Sequence, residues 1–190
     1  DDNDIPSVFS LDEGGSQVAY LGTFSKPFSP GLRTGFAVLP EEIVERVKVI
    51  KGNHDFGSAN FSQHVIDCFI GSGLYDRHVL KLRDNYRSKC DVMCDCLESD
   101  LSGRATWRKP GGGLYVWVDL GETDTAMNGE FFAACLKNGV LYVPGEFAFA
   151  DKKNAPRGMM RLSFGPTSRE DIREGIGRLK KTVEEFTTGR

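Results

Sequence analysis

No stretch of this 190-residue chain approaches the ~20 consecutive apolar residues of a membrane-spanning helix, which sets transbilayer functions aside. An excess of one charge is also lacking. The 24 Lys and Arg residues against 27 Asp and Glu leave a formal charge of −3, and no basic run is long enough to draw nucleic acid or an anionic membrane surface. Cysteine is sparse: Cys68, Cys90, Cys94, Cys96 and Cys135 are odd in number and include no Cys-x-x-Cys pair, so reduced thiols are expected in place of a disulfide framework or a zinc ribbon. Cys90 and Cys94 share a helical face with no histidine near them, while His54, His64 and His78 are scattered; no metal site is expected. There is no internal repeat and no low-complexity tract. The opening Asp1-Asp2-Asn3-Asp4 is acidic where a signal peptide is basic, so a cytoplasmic protein is expected, and the absent initiator methionine reads as a start inside a longer protein.

What remains is an ordinary globular composition, 39% hydrophobic and 27% charged, suited to a small-molecule partner. Val18 to Gly22 reads as a short strand, and Gly35 to Leu39 as a second, buried strand stopped by Pro40. Glu41 and Glu42 open a helix with Ile43, Val44, Val47 and Ile50 on its apolar face, ending near Gly52. Another helix is predicted from Ala59 to Ile70. A long one follows from Tyr75 to about Leu101, with Val79, Leu82, Tyr86, Cys90, Met93 and Leu97 at helical spacing. Beyond it short strands and helices alternate: strands at Ala105 to Arg108, Leu114 to Asp119, Leu141 to Val143 and Met159 to Phe164, and helices from Thr125 to Lys137 and Ser168 to Phe186. The fold class is α/β, with one domain over 1–74 and a second, led by the long connecting helix, over 75–190.

The first two strands bracket the segment richest in chemistry, Gly22-Thr23-Phe24-Ser25-Lys26-Pro27-Phe28-Ser29-Pro30-Gly31-Leu32-Arg33-Thr34-Gly35. A lysine attacks a carbonyl only as the neutral amine, whereas hydroxyls, exposed backbone N–H groups and an arginine fork suit a phosphate dianion. Both demands are met by an aldehyde cofactor that carries a phosphate, namely pyridoxal 5'-phosphate. The position suits a site as well, because ligands of open α/β sheets lie beyond strand ends. The same residues also suit plainer roles: an exposed loop lysine for Lys26, a surface ion pair for Arg33, and turn hydrogen bonds for Thr23 and Ser25. Farther along, Arg161 stands between apolar neighbours in Met159-Met160-Arg161-Leu162-Ser163-Phe164, where a buried charge needs a partner, an internal Asp or Glu being the plain structural choice. Asn60, Ser62 and Gln63 start a helix, and they suit either helix capping or the lending of a helix N-terminus or amide to a cofactor phosphate, that of a neighbouring subunit included. Tyr115 and Trp117 alternate with Leu114 and Val116, and either core packing or the border of a substrate entrance accounts for them.

Thr23-Phe24-Ser25-Lys26-x-x-x-Pro30-Gly31-Leu32-Arg33-x-Gly35 resembles the cofactor-lysine segment of fold-type I pyridoxal-phosphate aminotransferases, closest to the aminoadipate and kynurenine branch, which is also fused to regulators of the MocR type. Three later segments match in the same order: Lys109-Pro110-Gly111-Gly112-Gly113-Leu114-Tyr115-Val116-Trp117, then Gly139 to Phe147, then Met160 to Phe164. The resemblance covers roughly residues 18 to 186 and implies the C-terminal part of that fold: a remnant of the large-domain sheet with the lysine loop, a long connecting helix and a small α/β domain. It makes Lys26 the Schiff-base lysine and proton shuttle, places Thr23, Ser25 and Arg33 on the cofactor phosphate, and puts Arg161 on the substrate α-carboxylate. Amino acids and 2-oxo acids are the implied substrates, and a homodimer the implied assembly.

The resemblance also implies groups ahead of the lysine that only 25 preceding residues cannot supply, among them a carboxylate on the pyridine nitrogen and an aromatic stacked on the ring. The expectation is a C-terminal half that is inactive alone. The alternatives are a MocR-type sensor domain and a lyase or decarboxylase on the same scaffold. Aminoadipate, aromatic and branched-chain donors all stay open.

Overall fold

A short 3-10 turn (Val8–Leu11) and then a two-stranded ribbon open the structure, a computed structural model that describes residues 6–188; the acidic opening Asp1-Asp2-Asn3-Asp4 lies outside the described residues. In the ribbon β1 (Tyr20–Thr23) runs antiparallel to β2 (Gly35–Val38), with Gly22 opposite Phe36 and Thr23 opposite Gly35. Both glycines are there for close approach: a Cβ on Gly22 would enter the Phe36 ring, and one on Gly35 would lie 2.7 Å from the Gly22 carbonyl oxygen. The expectation of burial fails here. All of β2 is exposed, Phe36 at 45%, and Leu21 of β1 at 74%. An apolar, β-branched run specifies a strand, but burying it takes a neighbouring layer, and two strands alone supply none.

Three helices follow. α1 (Glu41–Asp55) begins after Pro40 with Glu41 and Glu42 at its positive end, as expected, but runs past Gly52. An ion pair between Lys51 and Asp55 at 2.5 Å ties the last turn together, and the helix closes at Phe56 in the left-handed region with φ 51°. Gly52 is thus an interior helical glycine, and a Cβ added to it would meet nothing within 4 Å. Gly52→Ala should raise stability by about 0.5–1 kcal/mol, read as a higher urea midpoint at unchanged slope. α2 (Asn60–Gly71) and α3 (Leu74–Leu101) come next, the latter with the length its periodicity predicts.

The chain divides into two compact units inside α3, the first running to Arg83 and the second starting at Asp84. In the second, four strands form an antiparallel sheet in the order β3-β4-β6-β5, made of β3 (Thr106–Trp107), β4 (Tyr115–Asp119), β5 (Val143–Pro144) and β6 (Met159–Ser163). Strand alternation sends Val116, Val118, Met160 and Leu162 to one face. There they join Cys90, Met93, Leu97 and Leu101 of α3, Phe131 and Cys135 of α4 (Glu130–Lys137), and Ile172, Ile176, Leu179 and Val183 of α5 (Arg169–Thr188) in one core. The opposite face carries Tyr115, Trp117, Met159 and Arg161, all half-buried.

α4 starts at Glu130 and not at Thr125. The Thr125 hydroxyl donates to the carbonyls of Arg157 at 2.7 Å and Met159 at 2.6 Å, and the Tyr142 hydroxyl donates to the Thr125 carbonyl at 3.0 Å. Those bonds hold residue 125 in an extended loop that a helix could not satisfy. All five cysteines are free thiols; burial pushes Cys94 and Cys135 up to about 12, which leaves them inert packing groups. Among the described residues no cluster of three His, Cys, Asp or Glu gathers to hold a metal, and no helix is long and apolar enough to cross a membrane.

Candidate functional site

The loop between β1 and β2 holds Lys26, and backbone hydrogen bonds define its shape. Phe24 N–H donates to Thr34 C=O at 3.1 Å and continues the ribbon, while Phe28 N–H and Ser29 N–H both donate to Phe24 C=O at 3.0 Å. The chain therefore curls tightly through residues 25–27, and Lys26 projects from the curl with its side chain exposed. Phe24 and Phe28 flank it two residues away on either side and anchor the curl. Phe28 stacks on Phe69 of α2 with centroids 4.4 Å apart and meets His78 of α3 edge-on at 6.2 Å; Phe24 packs against Phe36 at 5.6 Å and Tyr75 at 6.3 Å. Each ring contact of this kind contributes about 0.5–1.5 kcal/mol beyond area burial. A surface lysine is thereby displayed on a loop with aromatic footings. The Phe-x-x-x-Phe frame around Lys26 is the sequence signal for this, and reading the segment for its polar groups alone passes over it.

The polar groups around Lys26 divide into spent and unspent. The Ser25 N–H donates to Thr23 Oγ1 at 3.1 Å, so the Thr23 hydroxyl proton stays free. Thr34 Oγ1 is spent on the Leu32 carbonyl at 3.0 Å. Arg33 follows the short 3-10 turn Pro30–Leu32 in the left-handed region, with φ 49° and ψ 38°. A non-glycine residue there costs about 1–2 kcal/mol. Neither Lys26 nor Arg33 pairs with a carboxylate among the described residues, so the ion-pair reading of Arg33 has no partner to rest on. Thr23, Ser25, Lys26 and Arg33 are thus brought together on one hairpin as an amine, two hydroxyls and a guanidinium.

Arg161 belongs to the second unit. On β6 it lies between Trp117 of β4 and Val143 of β5, on the sheet face away from the helices. No internal Asp or Glu pairs with it among the described residues, which leaves the structural-arginine reading without a partner. Its guanidinium carbon instead sits 4.1 Å from the centroid of the Tyr115 ring, and its Nε is buried without a hydrogen-bond partner. Beside it the Trp117 indole N–H donates to Met159 Sδ at 3.1 Å, so that donor is satisfied. The placement of the Arg161 guanidinium over Tyr115 depends on strands joined only by long-range register, and the alternation of Tyr115 and Trp117 is its one trace in the sequence.

The fold is that of the fold-type I pyridoxal-phosphate transferases: the structure superposes on the alpha-aminoadipate aminotransferase LysN from Thermus thermophilus, solved with N-(5'-phosphopyridoxyl)-L-leucine, with a TM-score of 0.88 at 29% identity over 98% of this chain and 47% of that one. The chain belongs to the aminotransferase class I and II family, whose model matches residues 1–179. Aromatic-amino-acid aminotransferase 1 of Thermococcus litoralis is 38% identical over 184 residues, 95% of this chain and 42% of that protein. The uncharacterized HTH-type transcriptional regulator YdfD of Bacillus subtilis is 34% identical over 95% of this chain and 36% of its own length. The chain therefore spans less than half the length of these relatives.

Proposed function

We propose that this chain is the C-terminal part of a pyridoxal-phosphate-dependent aminotransferase that moves an amino group from an α-amino acid to a 2-oxo acid. The observation that carries the reading is Lys26, exposed and without an ion pair among the described residues, on an aromatic-footed hairpin in a chain that matches the family along nearly its whole length. The exposed apolar side chains of the ribbon, Leu21 and Phe36 among them, fit a parent whose further strands cover it.

The donor set fits the cofactor. Pyridoxal phosphate, when bound, supplies a reactive aldehyde and a ring that accepts electrons from the substrate α-carbon. The free hydroxyl proton of Thr23, the Ser25 hydroxyl and the Arg33 fork are the donors that a phosphate dianion requires. Lys26 Nζ would be the group that holds the cofactor aldehyde, and as a free amine it would carry the proton of the substrate α-carbon. It works as base and then as acid, which needs a group able to lose its proton. Arg161 offers a planar fork to the α-carboxylate, so that the Cα–H bond is oriented for removal. The parent works in the cytoplasm as a homodimer, a state in keeping with free thiols and exposed apolar surface.

The whole parent protein, loaded with pyridoxal phosphate and given an amino acid with a 2-oxo acid, should exchange the amino group stoichiometrically. Release of ammonia or carbon dioxide instead would point to a lyase or decarboxylase, and no turnover at all would remove the enzyme reading. The match to YdfD favours one competitor, a regulator whose aminotransferase-like domain senses an amino compound. That parent would bind a specific DNA sequence and leave the 2-oxo acid unchanged.

Arg33 tests the phosphate assignment from both sides. Arg33→Gly relieves the left-handed backbone and should stabilise the fold by about 1 kcal/mol, yet removes the fork. Loss of cofactor affinity together with a higher melting temperature is the expected pair of results.

A further inference from the structure

Arg161 presents a combination that its proposed role in binding carboxylate does not by itself explain. Its charge has no acidic partner among the described residues, its Nε is buried and bare, and its guanidinium carbon lies 4.1 Å from the Tyr115 centroid. A guanidinium stacked on a ring uses its face, whereas its N–H donors lie in its plane. The two modes of contact are compatible. With its carbon 4.1 Å over the ring centroid, the guanidinium can lie face-on to Tyr115, which leaves the edge of the fork open for an in-plane acceptor while the ring restrains its tilt.

We propose that Tyr115 is a positioning residue for the α-carboxylate site: its ring holds the Arg161 guanidinium in a fixed plane so that the fork meets the substrate carboxylate two bonds at a time. This rests on the reading of Arg161 as the carboxylate-binding arginine. The surrounding strands support it. Tyr115 pairs in register with Ser163 and Trp117 with Arg161, so Tyr115 reaches the arginine diagonally on a shared face, two residues along the partner strand. β6 lies between two hydrogen-bonded neighbours, β4 and β5, which fixes the backbone beneath both side chains. The long aliphatic stem of an arginine otherwise leaves its head free to swing, and a bidentate bond demands that it does not. The Tyr115 hydroxyl makes no hydrogen bond among the described residues, so the ring is the part that acts.

The test uses the whole parent protein loaded with pyridoxal phosphate. For Tyr115→Leu, KM for both the amino acid and the 2-oxo acid should rise roughly tenfold, the size of a lost cation–π contact in a half-desolvated site, with kcat changed much less. Tyr115→Phe keeps the ring and should restore both values. Binding of the matching primary amine, which lacks the carboxylate, should not respond to either change. In an Arg161→Ala background Tyr115→Leu should add nothing further. Unchanged KM in Tyr115→Leu, with wild-type amino acid binding intact, overturns the inference while leaving the aminotransferase reading in place. Equal loss for the amine and the amino acid also overturns it, because that is the mark of a general packing defect. A parent that binds no amino acid at all fails at the earlier step, and the inference falls with it.

Discussion

Lys26→Ala should abolish the absorbance of lysine-bound cofactor and lower transamination by at least about 10²–10⁴-fold, the span of a lost general acid–base group. It should do so without unfolding the loop. The bonds that shape the curl run from backbone to backbone, Phe24 with Thr34, Phe28 and Ser29, and the anchors are the Phe24 and Phe28 rings. The lysine side chain is exposed and takes part in none of them, so stability should shift by no more than about 0.5 kcal/mol. Lys26→Arg separates charge from chemistry: a guanidinium keeps the positive charge but does not give up its proton near neutral pH, so it should be as inactive as alanine. An unchanged spectrum in Lys26→Ala would remove Lys26 from the site. A spectrum lost together with a collapsed melting transition would assign it a structural role.

Some of this molecule was legible in residue order and some was not, and the difference follows the range of the interactions. α3 was readable because Cys90, Met93 and Leu97 repeat at the helix period and all three end up in one core. β4 and β6 were readable from alternation, which here decides which side chains meet the helices. The burial of β2 is misread because strand propensity is local while burial belongs to whatever lies alongside, and Phe36 and Val38 stay 45% and 44% exposed even with the Tyr20 and Phe24 rings against Phe36. Thr125 looked like the first residue of a helix; its hydroxyl finds two carbonyls more than thirty residues away, and that distant partner cannot be seen in a window of neighbours. At the site the same division holds. Lys26, Arg33, Thr23 and Ser25 sit within one short loop, so their grouping was visible, whereas the ring beneath Arg161 comes from another strand.

Arg161→Ala should weaken binding of amino acid and 2-oxo acid alike by about 2–5 kcal/mol, the cost of leaving a desolvated carboxylate without its partner. At about 1.4 kcal/mol per factor of ten this is roughly 30-fold to several thousandfold in affinity. The free protein should tolerate the change. Arg161 takes part in no ion pair among the described residues, and its neighbours on the hidden sheet face, Met160 and Leu162, keep their packing. What the fold loses is one half-desolvated cation–π contact with Tyr115, worth about 1–1.5 kcal/mol, and it sheds the cost of the bare Nε at the same time. Stability and affinity should therefore separate widely, with melting nearly unchanged and substrate binding lost. Arg161→Lys sharpens the test, because an ammonium restores the charge but not the planar fork. If charge alone sufficed, lysine would recover most of the affinity; the stacked geometry on Tyr115 calls for only partial recovery. A normal Kd in Arg161→Ala, measured on cofactor-loaded parent protein, would take the arginine out of the carboxylate site altogether.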